Sequence, residues 1–296
     1  MSRRTFLKNT ALCAVAVSTS GFITFDGNKY VGDCETTTDI LGPFYRPNSP
    51  VRKNLIVKGE VGDPIELSGV IYHKDCVTPY KNAKIELWHC SGDGVYDNTS
   101  DEYMYRGTVY ADNLGMYSFN TILPVPYDIG GGSFRPAHFH MMITAAGYVP
   151  LVTQLYFAGD PHLEEDPSSS SPAARKRILD VQSRLDGTKK VIYNVGMSKS
   201  LPVEPAAIDK LTGVYINAKD EKVKVEFFKH EGMLWMKNDL FGENLDYAGN
   251  NTFQFGDSTE GGAFVFEIIK KGKVQLRASY VNAEGKKIEN VYVREN

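Results

Sequence analysis

Ile65-Glu66-Leu67-Ser68-Gly69-Val70-Ile71-Tyr72 alternates apolar with polar or small side chains, and Ala83-Lys84-Ile85-Glu86-Leu87-Trp88 repeats the pattern. Successive side chains of a strand point to opposite faces, so a period of two reads as a strand with one buried face. Residues 116–121, 138–144 and 151–157 follow the same rhythm between turn residues, and residues 191–195 close the series. Short strands at this spacing predict an all-β fold, a β-sandwich in place of alternating βαβ units. Within it, residues 164–172 carry a serine run between prolines and read as a surface loop. Residues 173–185 space Ile178, Val181 and Leu185 for one face and predict a helix.

Beyond residue 200 the texture changes. Residues 201–209, with Pro202 and Pro205, read as a linker, after which Lys, Glu and Phe become frequent. Val223, Val225 and Phe227 alternate with charged residues, and Glu231-Gly232 and Lys271-Gly272 are hairpin-turn candidates. Several strands in such a short span predict a small antiparallel sheet or barrel. Leu211-Thr212-Gly213-Val214-Tyr215 and Asn251-Thr252-Phe253 resemble small lipocalin-like domains appended to exported bacterial enzymes. The organisation expected is a signal region at 1–30, a β-sandwich domain at 31–201, and a separable β-domain at 207–296.

The chain has 296 residues, with 33 Lys and Arg against 36 Asp and Glu, a net charge of −3. That balance gives no reason to expect nucleic acid or an anionic membrane as partner. A hydrophobic fraction of 42% excludes wholesale disorder. Ser2-Arg3-Arg4-Thr5-Phe6-Leu7-Lys8 and the modestly apolar run at 11–17 have the form of a twin-arginine export signal. The run falls far short of the roughly 20 residues of a membrane span, so the expected location is periplasmic or cell-surface. Cys34, Cys76 and Cys90 would remain after processing and permit one disulfide, whose pairing the sequence leaves open. No C-x-x-C occurs, which argues against a thiolate zinc site.

The sharpest local feature is Arg135-Pro136-Ala137-His138-Phe139-His140. On a strand, residues i and i+2 share a face, so the two imidazoles can bind one metal ion, although H-x-H alone also occurs by chance.

Around it stand Leu41-Gly42-Pro43-Phe44-Tyr45-Arg46-Pro47, Ile85-Glu86-Leu87-Trp88-His89, Gly94-Val95-Tyr96, Arg106-Gly107, Asp112-Asn113-Leu114-Gly115-Met116-Tyr117, Tyr127, and Thr153-Gln154-Leu155-Tyr156-Phe157 with Gly159-Asp160-Pro161. This series, in this order over about residues 40–200, resembles the intradiol ring-cleavage dioxygenases, nearer to the protocatechuate branch than to the catechol branch. The resemblance implies a non-haem Fe(III) ion held by Tyr96, Tyr127, His138 and His140. It also implies Arg135, Gln154 and Tyr127 as catalytic residues, with a catecholic substrate and O2. The ring would be cut between its two hydroxyl-bearing carbons to give a cis,cis-muconate, with Tyr127 the ligand that leaves the metal and Tyr96 the one that stays. Hard phenolate donors suit a trivalent ion, and two phenolates with a hydroxide cancel its charge. Two alternatives stand beside the protocatechuate-like reading: cleavage of catechol or hydroxyquinol, and a non-catalytic exported β-sandwich that binds a ligand. A homo-oligomer is an expected assembly.

Three further readings concern neighbours. Trp88 is expected to pack under the site and Tyr45 to wall the substrate pocket, while His73, His162 and His230 are expected at the solvated surface. The loop between Tyr127 and Arg135 carries Gly130-Gly131-Gly132 and lacks the tryptophan that family members with a P-W pair have there.

Overall fold

The computed structural model describes residues 22–25, 30–33, 35–59, 61–197, 205–255, 262–269, 273–281 and 286–295. In chain order the strands are β1 (Phe22–Phe25), β2 (Tyr30–Asp33), β3 (Pro64–Tyr72), β4 (Lys84–Trp88), β5 (Arg106–Tyr110), β6 (Met116–Ile122), β7 (Tyr127–Gly130), β8 (Ser133–Arg135), β9 (His138–Thr144), β10 (Leu151–Phe157), β11 (Ile178–Leu179), β12 (Gln182–Ser183), β13 (Lys189–Ile192) and β14 (Val195–Gly196). A short helix, α1 (Pro205–Asp209), precedes β15 (Gly213–Asn217), β16 (Lys224–His230), β17 (Met233–Met236), β18 (Glu243–Gly249), β19 (Thr252–Gln254), β20 (Ala263–Ile268), β21 (Val274–Val281) and β22 (Lys287–Arg294).

The all-β expectation holds. One sheet runs β11-β10-β9-β4-β5, and the facing sheet runs β12-β13-β3-β14 with β6 also paired to β3. Alternation puts Ile65, Leu67 and Ile71 of β3, Ile85 and Leu87 of β4, Phe139, Met141 and Ile143 of β9, and Leu155 of β10 into one core between the sheets. Strands β15 to β22 close into a barrel. Its interior is filled by Tyr215, Phe227, Leu234, Phe253, Phe266 and Leu276, with Ile208 of α1 sealing the cluster.

The predicted helix at 173–185 is replaced by a 3-10 helix at Pro172–Arg177, followed by β11 and β12. Ile178 and Leu179 pair in parallel with Tyr156 and Phe157, so the free edge of β10 captures this backbone before a helix can propagate. Leu185 is fully exposed and has nothing to pack against. The 164–172 segment is not merely a surface loop, because Asp166 and Ser169 are buried within it. The turn at Glu231-Gly232 joins β16 to β17 with both residues at positive φ, 49° and 77°, as a two-residue hairpin requires. Lys271-Gly272, residues 201–204 of the linker, and the export pattern at 2–8 and 11–17 lie outside the described residues. Cys76 is disulfide-bonded, and Cys90 is a buried free thiol. Among the described residues, no helix is long and apolar enough to cross a membrane.

The barrel does not sit apart from the sandwich. Leu41, Tyr45, Trp88, Cys90, Tyr96, Met142 and Val152 form one buried cluster with Met233 and Trp235, against which Phe228 and Phe241 also pack. Each large apolar side chain so buried contributes about 1.5–3 kcal/mol, so separating the two domains would expose this cluster. Scanning calorimetry should therefore show one unfolding transition for the two domains. Two resolved transitions would mean that the barrel folds on its own.

Candidate metal centre

The outer face of the β10-β9-β4 part of the sheet carries the site. His138, His140 and Met142 alternate with the core residues of β9, so both imidazoles point away from the sandwich interior. Register then builds a row across the sheet: Gln154 of β10 and Trp88 of β4 stand opposite His140, and Tyr156 stands opposite His138. An outer sheet face is usually wet, yet here every residue of β9 through Ile143 is buried.

Three of the expected ligands meet at one point. His138 Nε2 and His140 Nε2 are 3.0 Å apart. The Tyr96 hydroxyl lies 3.1 Å from His140 Nε2 and 3.4 Å from His138 Nε2. Tyr127 joins them, its ring edge-on to Tyr96 at 5.6 Å and tilted against His138 at 5.7 Å. The backbone explains the convergence. Gly94, at φ +77°, starts the approach to Tyr96, and a Cβ there would stand 3.0 Å from Tyr127 Cβ. Tyr127 begins β7, directly paired with Arg135 of β8, so the hairpin sets the phenol and the guanidinium side by side. The Gly130-Gly131-Gly132 tip takes positive φ throughout and meets nothing, so it serves the turn and not the packing.

The donors fit a metal ion. Two donors bonded to one ion at about 2.1 Å and roughly 90–110° stand about 3.0–3.4 Å apart. His138 Nδ1 donates to Pro136 O at 2.6 Å, which leaves its Nε2 a lone pair. Burial, with the Arg135 charge, pushes the His138 pKa down to about 3. Burial, with His138 beside it, holds His140 well below its ordinary value. Both rings are thus neutral near pH 7, the state that binds metals. Their Nε2 atoms face each other with one tyrosine proton to share, and His140 Nδ1 is buried without a partner. A cation among these atoms satisfies what a proton cannot. Burial raises Tyr96 well above the ordinary tyrosine range and also raises Tyr127, which Arg135 partly offsets. Neither phenol ionises without a cation, so loading a metal must release their protons. Among the described residues, no group of three His, Cys, Asp or Glu could hold a metal. The centre depends on its tyrosines, and a pair of phenolates selects a hard, highly charged ion.

Arg135 is held from behind. Its Nη2 donates to Gln154 Oε1 at 2.7 Å, and its Nε lies 2.5 Å from Asp166 Oδ2. Gln154 is held at both ends of its amide: its Nε2 donates to Ile40 O at 2.6 Å, and its Oε1 also accepts from the Tyr156 hydroxyl at 3.1 Å. Tyr156 reaches Asp39 too, and Asp39 pairs with the buried Arg177. The sequence reading missed Asp166, Asp39, Arg177 and Tyr156. Only Tyr156 carried a signal, two residues after Gln154 on the same strand face.

The neighbours differ from expectation in two places. Trp88 does pack under the site, stacked flat on His140 at 5.0 Å and 5°. Tyr45 is buried behind Trp88 instead of walling a pocket, and Phe44 takes the outer position, stacked on Tyr96 at 4.2 Å. His230 is half-buried among Tyr45, Trp235 and Phe241, with its Nε2 unpartnered. His73 bonds the Tyr148 hydroxyl, and His162 stacks on Phe134.

Comparison with known proteins shows the family. A family profile described as Dioxygenase matches residues 40–198, more than half of the chain, and the chain belongs to that family of intradiol dioxygenases. A chlorocatechol 1,2-dioxygenase of Rhodococcus opacus is 36% identical over 170 residues, which cover 50% of this chain and 66% of that protein. A catechol 1,2-dioxygenase of Candida albicans is 35% identical over 153 residues, covering 44% of this chain and 50% of that protein. The chain thus spans about half to two thirds of the length of these relatives. The solved catechol 1,2-dioxygenase of Pseudomonas arvilla C-1 superposes with a TM-score of 0.51 at 22% identity, over 66% of this chain and 68% of that one, and shares the fold.

The Arg135–Asp166 pair makes a test of the site's frame. Breaking a buried ion pair by removing one charge costs about 3–5 kcal/mol. Asp166→Asn, which keeps an acceptor for the Ser168 and Ser169 N–H groups, should lower stability by that amount in urea unfolding. A loss below about 1 kcal/mol, the range of a solvent-screened pair, would show that the charge is not needed there.

Proposed function

We propose that this protein is a ferric, intradiol-cleaving dioxygenase for catechols, with Tyr96, Tyr127, His138 and His140 holding the iron. The observation that carries the reading is the meeting of two phenols and two neutral imidazoles on one buried sheet face. When bound, ferric iron withdraws electron density from a catecholate and opens its ring to O2, giving a cis,cis-muconate.

The chain's own residues supply the rest. Tyr127 is half-buried and starts a hairpin with a glycine tip, whereas Tyr96 is buried under the Phe44 ring. Tyr127 is therefore the phenolate that would have the freedom to move and to accept a catechol proton, a basic group since a free tyrosine has a pKa of roughly 10. Tyr96 stays. Arg135, beside Tyr127 and locked by Asp166 and Gln154, presents a preoriented positive charge to anionic oxygens of the reacting substrate. Gln154 serves by holding that guanidinium, because both ends of its amide are engaged.

Substrate choice follows from charge. A ring carboxylate, as in protocatechuate, needs a further cation besides the Arg135 that serves the reacting oxygens, and the other buried arginines around the site are committed. Arg135 is paired with Asp166 and Arg177 with Asp39. Arg106 donates to the carbonyls of Phe44 and Asp97 and to Asn98 Oδ1. The relatives named above for catechol and chlorocatechol favour the same side. Catechol and halogen-substituted catechols are the proposed substrates, ahead of hydroxyquinol and protocatechuate.

An oxygen electrode with a panel of catechol, chlorocatechol, hydroxyquinol and protocatechuate tests this. Catechol or chlorocatechol should consume one O2 per ring opened, with kcat/KM at least about tenfold above protocatechuate, roughly 1.4 kcal/mol of transition-state binding. Tyr127→Phe should keep its iron and lose most turnover. No O2 uptake by the iron-loaded protein with any of the four would remove the dioxygenase reading, and a preference for protocatechuate would overturn the charge argument.

A further inference from the structure

We propose that the C-terminal barrel is a positioning part of the metal centre: its Trp235–Phe241 face and Glu243 hold residues 41–45 against His140, Tyr96 and Tyr127. The proposal rests on the iron reading above and gives a role to the part of the chain that the family match does not reach.

Residues 41–45 lie directly on the ligands. Gly42 is at φ +75°, and a Cβ there would stand 3.0 Å from His140 Cε1, so backbone touches the imidazole. The Phe44 ring stacks on Tyr96 at 4.2 Å and meets Tyr127 edge-on at 6.4 Å. Tyr45 meets Trp88 edge-on at 5.1 Å, and Trp88 lies flat on His140. One five-residue stretch thus sets the surroundings of three of the four ligands.

The sandwich holds this stretch from one side, through Gln154 Nε2 to Ile40 O and Arg106 Nη1 to Phe44 O at 2.6 Å. The barrel holds it from the other. Trp235 and Phe241 place their rings 5.5 and 5.6 Å from Tyr45. Glu243, at the start of β18, faces the Gly42 N–H, which lowers its pKa against the larger raise that burial causes. Lys84 bridges the domains, 3.0 Å from Glu86 and 2.7 Å from Glu231 at the β16–β17 turn, and Glu86 accepts from the Tyr45 hydroxyl at 3.3 Å. Gly42 and Tyr45, at the two sides of Phe44, are each fixed by the barrel.

The barrel's own interior offers no competing role, since aromatic and aliphatic side chains fill it. Its outer face is what matters: Trp235 is fully buried although its indole lies outside that interior cluster, in the one shared with Tyr45 and Trp88. Groups that orient metal ligands from behind change metal affinity or activity by roughly ten- to a hundredfold when lost.

The test uses the full-length, iron-loaded protein and three variants. Glu243→Ala removes the polar group facing Gly42, Glu243→Gln keeps one, and Trp235→Leu keeps apolar bulk but loses the ring contact. The readouts are the rate of iron extraction by a chelator, the position of the tyrosinate charge-transfer band, and KM for catechol against kcat. Glu243→Ala and Trp235→Leu should release iron roughly tenfold faster and shift the band, with Glu243→Gln restoring wild-type values. Extraction rates and bands equal to wild type in both variants, with folding confirmed by circular dichroism, would overturn the barrel's role and leave the dioxygenase reading intact. A wild-type protein that takes up no iron would overturn both.

Discussion

Everything at this site depends on the two-residue repeat of β9. Phe139, Met141 and Ile143 go into the sandwich core, which forces His138 and His140 onto the opposite face, with their Nε2 atoms 3.0 Å apart. A slip of one residue would bury the imidazoles between the sheets and put phenylalanine at the site, so packing and chemistry enforce the same register. The neighbouring strands inherit that register. Gln154 and Trp88 flank His140 because β10 and β4 pair with β9, and the β7–β8 hairpin brings Tyr127 beside Arg135.

Placing polar groups on a buried outer face creates a demand that the rest of the molecule meets. Neutral imidazoles and un-ionised phenols are stable there only while no charge has to be buried, and a trivalent cation reverses that balance by matching two phenolates. Behind the ligands, charge is neutralised in pairs: Arg135 with Asp166, and Arg177 with Asp39, linked through Gln154 and Tyr156. Residues 41–45 and, behind them, the barrel pack over one side of the ligands. The site is thus built from three layers: a sheet face, a strap across it, and a second domain.

Much of this is legible in the sequence, for identifiable reasons. His138, His140, Tyr96 and Tyr127 stand in short motifs whose order is specific, and strand periodicity alone places β3, β4, β6, β9 and β10 within a residue or so, whereas residues 191–195, read as one strand, divide between β13 and β14. What escapes is long-range. Asp166 sits in a serine- and proline-rich stretch that reads as loop, and nothing local tells that its carboxylate turns inward to Arg135. The helix expected after residue 172 fails because β10 offers an open edge, a tertiary fact that periodicity cannot express. His230 and Trp235 look like ordinary barrel residues until the two domains meet, and the assignment of Tyr45 to a pocket wall fails for the same reason.

The central claim is that four side chains from β9, β7 and the Gly94–Tyr96 approach bind one iron. Anomalous diffraction at the iron edge, from crystals of the protein as purified, tests it most directly. A single strong peak within bonding distance of Tyr96 Oη, Tyr127 Oη, His138 Nε2 and His140 Nε2 is expected. A peak lying elsewhere, or none at a centre shown to be intact, would contradict it.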